Sequence, residues 1–243
     1  MVRINDNCTG CGRCIVDCIS DAIMIKDGRA KAVRPCIACG HCYAICPVKA
    51  PVLSGVDMED VEEINPAAFV DSKALLHTIK GRRSIRKYTG EQIPEKILEQ
   101  ILQAGTYAPT GMGLQSPVMV VVQDADMIRR LSALNAEVMG TESDPFYAAP
   151  TVIVVLADRS RGTCVEDGSL VIGNLLNAAA SLGIGSCWIH RAREVFAGKE
   201  GREILAGWGL DPDRYIGVGH CILGDAAEQG EAKPRKAGYV IRA

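Results

Sequence analysis

The 243-residue sequence predicts a mixed α/β chain, one sheet packed with helices, preceded by a small cysteine-rich domain. Three features predict it. Eight of the eleven cysteines fall between Cys8 and Cys46. After Ala50 the composition shifts, and residues 51–71 hold six acids with no Lys or Arg. From Ser72 onward, helix-period and strand-period apolar patterns alternate. A hydrophobic fraction of 48% excludes wholesale disorder, and no apolar run approaches the roughly 20 residues that span a bilayer. Net charge −2 leaves no electrostatic footprint for nucleic acid. Met1 to Asp6 has no signal-peptide core, so the expected location is the cytoplasm, with no membrane partner.

In a reducing compartment, dense cysteines point to metal rather than disulfides. Cys8, Cys11, Cys14 and Cys18 read C-x2-C-x2-C-x3-C, and Cys36, Cys39, Cys42 and Cys46 repeat it, followed by Pro47. Structural zinc usually takes two ligands from one loop and two from a distant one. Three thiolates on one tight loop suit three corners of an iron–sulfur cube, with the fourth crossing over from the other motif. That rule assigns Cys8, Cys11, Cys14 and Cys46 to one [4Fe–4S] cluster, and Cys36, Cys39, Cys42 and Cys18 to a second. Gly10, Gly12 and Gly40 allow backbone N–H groups to approach the sulfurs. His41 reads as a surface residue of its loop. Residues 22–30 form an expected hairpin around Asp27-Gly28. Seven basic and four acidic side chains in residues 1–50 offset the negative charge of two thiolate-ligated clusters. This stretch resembles a bacterial two-cluster ferredoxin, except that Ile19 follows Cys18 where that family usually has proline.

Residues 51–71 read as an exposed acidic connector, with Pro51, Gly55 and Pro66 and room for one helical turn. Beyond it, helices are expected from Ser72, from Pro94 through Leu102, over Met127 to Val138, over Ser169 to Leu182 and near Glu194 to Trp208. Strands are expected over Pro117 to Gln123, Thr151 to Leu156 and Tyr215 to Leu223. The 169–182 helix is apolar almost all round and calls for burial in a core or subunit interface. Cys164, Cys187 and Cys221 read as small core residues, and Asp167 as a helix-start residue.

Arg82, Arg83, Ser84 and Arg86 follow a helix end. They complement the helix dipole or form a phosphate clamp of guanidinium forks and a hydroxyl. Lys233-Pro234-Arg235-Lys236 is a second basic cluster, either solvated or part of such a clamp. The loop Ala108 to Pro117 is an ordinary turn or a surface on which a planar ring lies against backbone. Gly183-x-Gly185 and Gly217-x-Gly219 lack the third glycine and the context of a dinucleotide fingerprint. No Walker loop, H-E-x-x-H or G-x-S-x-G occurs.

Arg82 to Tyr88, the 108–115 loop, Gly168 to Asn174, Leu182 to Ile189 and Lys233-Pro234-Arg235 together resemble the nitroreductase family. With the cysteine motifs, the chain is similar to ferredoxin-fused nitroreductases. The resemblance implies an α+β fold, a mixed sheet flanked by helices over 72–243, after a ferredoxin-like domain at 1–50 and the linker at 51–71. It implies a homodimer with FMN at the subunit interface. Arg82, Ser84, Lys233 and Arg235 would hold the phosphate, beside Arg83. Arg86 and Gln115 would face the ribityl chain or pyrimidine ring, with Pro109 and Thr110 in the same loop. Trp188, Ile189 and His190 would pass near the reactive face, with His190 either a proton donor or a packing residue. Gly113 and Ser116-Pro117 depart from the family pattern. The implied activity is flavin-dependent reduction of a conjugated acceptor such as a nitroaromatic, quinone or enone. Its electrons come from an external donor, ferredoxin or NAD(P)H, through the two clusters. The rival readings are an NAD(P)H-dependent enzyme with a non-essential ferredoxin domain, and an electron carrier or redox sensor.

Overall fold

The computed structural model describes residues 1–56, 61, 63–228 and 230–243. Asp57, Glu59, Asp60 and Glu62 of the expected acidic connector lie outside the described residues. The chain divides into two compact units, one made of Met1–Phe69 with Thr110–Gln115, the other of Val70–Pro109 with Ser116–Ala243.

The smaller unit is built on two short antiparallel pairs. Strand β1 (Val2–Ile4) pairs with β4 (Pro51–Leu53), in the register Val2 to Leu53 and Ile4 to Pro51. Residues 51–53, read from sequence as connector, are therefore strand. Strands β2 (Ile23–Lys26) and β3 (Arg29–Ala32) form the expected hairpin. Asp27 and Gly28 both take positive φ, 53° and 74°, as a two-residue primed turn requires. Each cysteine motif winds into one helical turn, α1 (Arg13–Val16) and α2 (His41–Ala44). Gly12 and Gly40 precede these turns with φ of 77° and 82°, so the two motifs share one backbone shape that an L side chain would strain. His41 is exposed but opens α2 rather than sitting in a loop. Val2, Ala22, Ile23, Ala30 and Leu53 pack with Cys14 and Cys42 into a small core. The single helical turn expected before residue 71 is the 3-10 turn Pro66–Ala68, capped by Asn65.

The larger unit is a three-layer arrangement. Its sheet has the order β5 (Val118–Val122), β6 (Thr151–Asp158), β8 (Tyr215–Gly224), β7 (Gly185–Ile189). These three pairings are antiparallel, and an isolated parallel bridge joins Ser84 to Ser186. Along β6 every side chain is buried, and successive residues face opposite layers. Ile153, Val155 and Ala157 meet α4 (Glu95–Thr106) and α6 (Cys164–Ser181). Val152, Val154 and Leu156 meet α5 (Ala125–Met139), α7 (Ala192–Ala197) and α8 (Lys199–Gly207). Each large aliphatic or aromatic side chain fully removed from water here stabilises the fold by about 1.5–3 kcal/mol.

Local chemistry sets the helix ends. Asp71 accepts from the N–H groups of Lys73 and Ala74 at the start of α3 (Ser72–Gly81), and Asp124 caps α5 through Met127. Such a cap contributes about 1 kcal/mol. Four expectations are revised. β7 is a strand that the sequence reading did not include among its expected three. Helix α6 begins at Cys164 rather than Ser169, which sets Asp167 within its first turn rather than at the cap. The helix expected near 194–208 is two helices broken at Gly198, whose ψ of 161° is extended. Finally, Leu75, Leu76 and Ile79 on α3 remain exposed, although they form its apolar side. Cys187 and Cys221 are core residues as expected, and Cys164 is half-buried against the core.

Candidate functional site

Two small cavities in the smaller unit gather the cysteine motifs. Cys8, Cys11, Cys14 and Cys46 line one of them with Gly10 and Gly12. Cys18, Cys36, Cys39 and Cys42 line the other. Each set takes its fourth thiol from the opposite motif, because β1–β4 pairing and the hairpin fold the two motifs face to face. Main-chain N–H groups point at the sulfurs: Ala30 to Cys8, Ala22 to Cys18, Ala38 to Cys36 and Ala50 to Cys46, at 3.3–3.4 Å. No group of His, Cys, Asp or Glu among the described residues is arranged to hold a single metal ion. The thiols instead surround a space, which suits a multi-atom inorganic group.

Electrostatics favours the same group. Burial pushes the Cys14 thiol up, and Cys46, Cys8 and Cys11 add to the rise. Burial likewise pushes Cys42 up to about 11, with Cys36 and Cys39 contributing. Burial raises Cys18 too, but hydrogen bonds from Ser20 and Ala22 outweigh it and lower the thiol. Four thiolates crowded in a partly buried space repel one another unless cationic iron sits among them. The donor set therefore fits iron–sulfur ligation.

In the larger unit, a polar cavity of about 190 Å³ is lined by Lys80, Arg82, Arg83, Ser84, Arg86, Lys233 and Arg235. The segment after α3 is placed by main-chain bonds. Ile85 N–H donates to the Ser186 carbonyl at 2.9 Å, Thr89 N–H to Asp225 and Ala227 N–H to Lys87. These bonds lay residues 82–89 against β7 and the segment following β8. Arg83 Nη1 also donates to the Glu231 carbonyl. Two cationic clusters about 150 residues apart in sequence thereby share one cavity. Among the described residues, no carboxylate lines it. Glu228 stands beside it, accepting from Arg86 N–H at 3.4 Å and pairing with Lys87 at 3.8 Å. Such a set of guanidinium forks, ammonium groups and a hydroxyl is suited to a phosphate dianion.

Arg82, Arg83, Ser84, Arg86, Lys233 and Arg235 are thus brought together. Lys80 lines the same cavity and was missed from sequence, since its place in the last turn of α3 already has a dipole explanation. The Arg86 guanidinium also lies 5.9 Å from the centroid of the Tyr147 ring. The remaining candidates do not line this cavity. Pro109 is exposed. Thr110 and Gln115 bracket a tight 3-10 turn in the smaller unit, the Thr110 hydroxyl accepting from Gln115 N–H. Trp188 is half-buried, with its indole against Gly219 and its N–H buried without a partner among the described residues. Ile189 is buried, and His190 is exposed with its carbonyl accepting from Asn135. A larger cavity of about 680 Å³ lies beside α5, lined by Gln92, Gln123, Arg129, Ser132 and Asp144. There Ser132 donates to Asp144 and Gln123 to Gln92, so these four side chains already have partners. No helix among the described residues is long and apolar enough to cross a membrane.

Residues 79–225 match the model of the nitroreductase family, and residues 7–50 match that of a 4Fe-4S dicluster domain. A Methanothermobacter thermautotrophicus protein, provisionally named NADH dehydrogenase/NAD(P)H nitroreductase, is 32% identical over 52% of this chain and 68% of its own length. The NADPH-flavin oxidoreductase of Vibrio harveyi is 28% identical over 68% of this chain and 71% of its own. Among solved structures, a Bacteroides fragilis nitroreductase with bound FMN superposes with a TM-score of 0.64 at 30% identity. That match covers 70% of this chain and 98% of the other. The family model spans more than half of the sequence, and the chain belongs to the nitroreductase family of oxidoreductases, with a 4Fe-4S dicluster domain ahead of the family's fold.

Proposed function

We propose that this protein is an FMN-dependent oxidoreductase that draws single electrons through two [4Fe–4S] clusters and reduces a conjugated acceptor, such as a nitroaromatic, quinone or enone. The observation that carries the reading is the cationic cavity shared by Arg82, Ser84, Lys233 and Arg235 in a chain that also gathers eight cysteines into two sets. In this reading the arginines and Lys233 grip the FMN phosphate and Ser84 donates to it, while Lys80 and Arg83 add positive potential. Pro109, Thr110, Gln115, Trp188 and Ile189 serve the sugar chain and ring. Flavin supplies the change from one-electron to two-electron chemistry. Little acid–base machinery is needed, and His190 is the candidate proton donor because it is exposed at the end of β7. We place the clusters in a domain that runs from the N-terminus through β4 (Pro51–Leu53), a connector between it and residue 72, and the flavin in 72–243, in a homodimer located in the cytoplasm.

The names of the Methanothermobacter and Vibrio relatives favour a second reading, in which NAD(P)H reduces the flavin and the clusters are not required. Anaerobic turnover of a nitroaromatic and a quinone, driven separately by reduced ferredoxin and by NADPH, decides between them. Turnover with ferredoxin that is lost when the clusters are removed supports the first. Equal turnover with NADPH after cluster removal supports the second, and no turnover of any acceptor despite rapid cluster reduction identifies a carrier.

A further inference from the structure

The two halves of the smaller unit close their cysteine motifs with the same turn. Cys18–Ala22 reads Cys-Ile-Ser-Asp-Ala, and Cys46–Ala50 reads Cys-Pro-Val-Lys-Ala. In the first, Asp21 N–H donates to the Cys18 carbonyl at 3.1 Å; in the second, Lys49 N–H donates to that of Cys46 at 3.3 Å. Asp21 and Lys49 share a φ of 48°. Four residues past each cysteine, the N–H of Ala22 or Ala50 donates to the cysteine sulfur at 3.3 Å. The backbone thus treats the two sulfurs alike. The side chains do not. Of the three intervening positions, only the middle one lines the cysteine cavity, Ser20 in the Cys18 set and Val48 in the Cys8 set. Both are half-buried, while Ile19, Asp21, Pro47 and Lys49 are exposed. The Ser20 hydroxyl lies 3.6 Å from Cys18 Sγ, within hydrogen-bond reach of sulfur. Val48 has no donor to offer at the equivalent place.

We propose that Ser20 sets apart the cluster of Cys18, Cys36, Cys39 and Cys42 by donating a hydrogen bond to the Cys18 sulfur, which raises that cluster's reduction potential. This rests on the two-cluster reading above. A free thiol can donate or accept, but a ligating sulfur has lost its proton and can only accept, so the hydroxyl is the donor. Reduction by a low-potential one-electron carrier adds one negative charge, shared among the cluster sulfurs. A donor aimed at one of them interacts more strongly with the reduced state than with the oxidised one, and the balance moves toward reduction. The Val48 isopropyl group at the matching place provides no such bond. Charged and titratable side chains act on the two sets as well: Arg13 lines the Cys8 cavity and His41 the other. Ser20 therefore contributes one separable part of the difference between the clusters, and substitutions at positions 20 and 48 isolate it.

The test is a potentiometric titration of anaerobic holoprotein, each cluster followed by low-temperature electron paramagnetic resonance, with iron and sulfide measured alongside. Ser20→Ala should lower the potential of one cluster, the one whose signal is altered in Cys18→Ser, and leave the other unchanged. At a fixed solution potential the reduced-to-oxidised ratio of that cluster should fall roughly threefold, the net contribution of a weak hydrogen bond, or about 28 mV for a one-electron couple. Ser20→Thr, which keeps the hydroxyl, should titrate as wild type. Val48→Ser should raise the potential of the other cluster, and this variant decides the matter if Ser20→Ala takes up less than its full iron. Unmoved potentials in Ser20→Ala and Val48→Ser, a shift in the wrong cluster, or an equal fall in Ser20→Thr and Ser20→Ala overturns this proposal alone. Wild-type protein that takes up no iron and sulfide overturns the cluster reading together with it.

Discussion

Arg83 Nη1 donates to the Glu231 carbonyl at 2.7 Å, tying the turn after α3 to a segment 148 residues further along the chain. The same guanidinium lies where a Cβ on Gly230 would be 3.2 Å from it. The tie brings Lys233 and Arg235 within reach of Arg82. Arg83→Ala should therefore loosen residues 230–243 more than it destabilises the fold, by no more than about 1 kcal/mol because the bond is exposed. Hydrogen exchange should rise in that C-terminal segment and not in β6. Unchanged exchange there would show that the segment is held by other contacts.

Replacing both Arg82 and Arg235 by alanine should release FMN while riboflavin affinity changes little. Each charge-assisted bond to phosphate contributes roughly 1.5–3 kcal/mol, so FMN affinity should fall at least about tenfold. Fluorescence titration with both flavins measures this. Equal losses for the two would mean that the arginines support the fold rather than the phosphate.

Anaerobically prepared protein should contain roughly eight iron and eight labile sulfide per chain. Cys18→Ser, a hard ligand in place of a soft one, should disturb the cluster of Cys36, Cys39 and Cys42 and spare that of Cys8, Cys11 and Cys14. Its flavin content should equal that of wild type. Stoichiometric zinc without sulfide would sink the cluster assignment.

His220 is fully buried beside Phe146 and Phe196, with Asn135 Nδ2 3.4 Å from its Nδ1. Burial pushes its pKa from 6.5 down to about 3. Below pH 6.5 the unfolded chain binds a proton that the folded imidazole refuses. Stability should thus fall as pH drops from 6.5 toward 3, by about 1.4 kcal/mol per pH unit, and be unaffected by this group above 6.5. Urea midpoints at pH 7.5 and 5.5 should differ less in His220→Gln than in wild type. An identical difference in both proteins would refute the assignment.

Helix α3 leaves Leu75, Leu76 and Ile79 roughly half exposed, the apolar stripe a homodimer would cover. Leu76→Glu with Ile79→Glu should shift sedimentation from dimer to monomer at micromolar concentration. A wild-type protein that is already monomeric would contradict the expected homodimer, and a variant that still dimerises would show that the subunit interface does not use this stripe.

The cysteine spacing by itself anticipated which four thiols line each of the two small cavities. Ligands at fixed short intervals dictate local loop shape, and the glycines before α1 and α2 encode that shape in φ. The Asp27-Gly28 hairpin and the wholly apolar β6 were legible for the same reason: their signals are local. β7 was not, because Gly185-Ser186-Cys187 carries little strand propensity and gains its state from pairing with β8. The break at Gly198 was hidden because a single glycine is tolerated within a helical pattern. Sequence identified the two cationic clusters but left each with an ordinary explanation. Long-range main-chain bonds from Ile85 to Ser186 and from Ala227 to Lys87 decided that they meet. The resting place of Gly113 on Cys39 was likewise settled by tertiary structure, since no local pattern records which distant backbone a side-chain-free residue will touch.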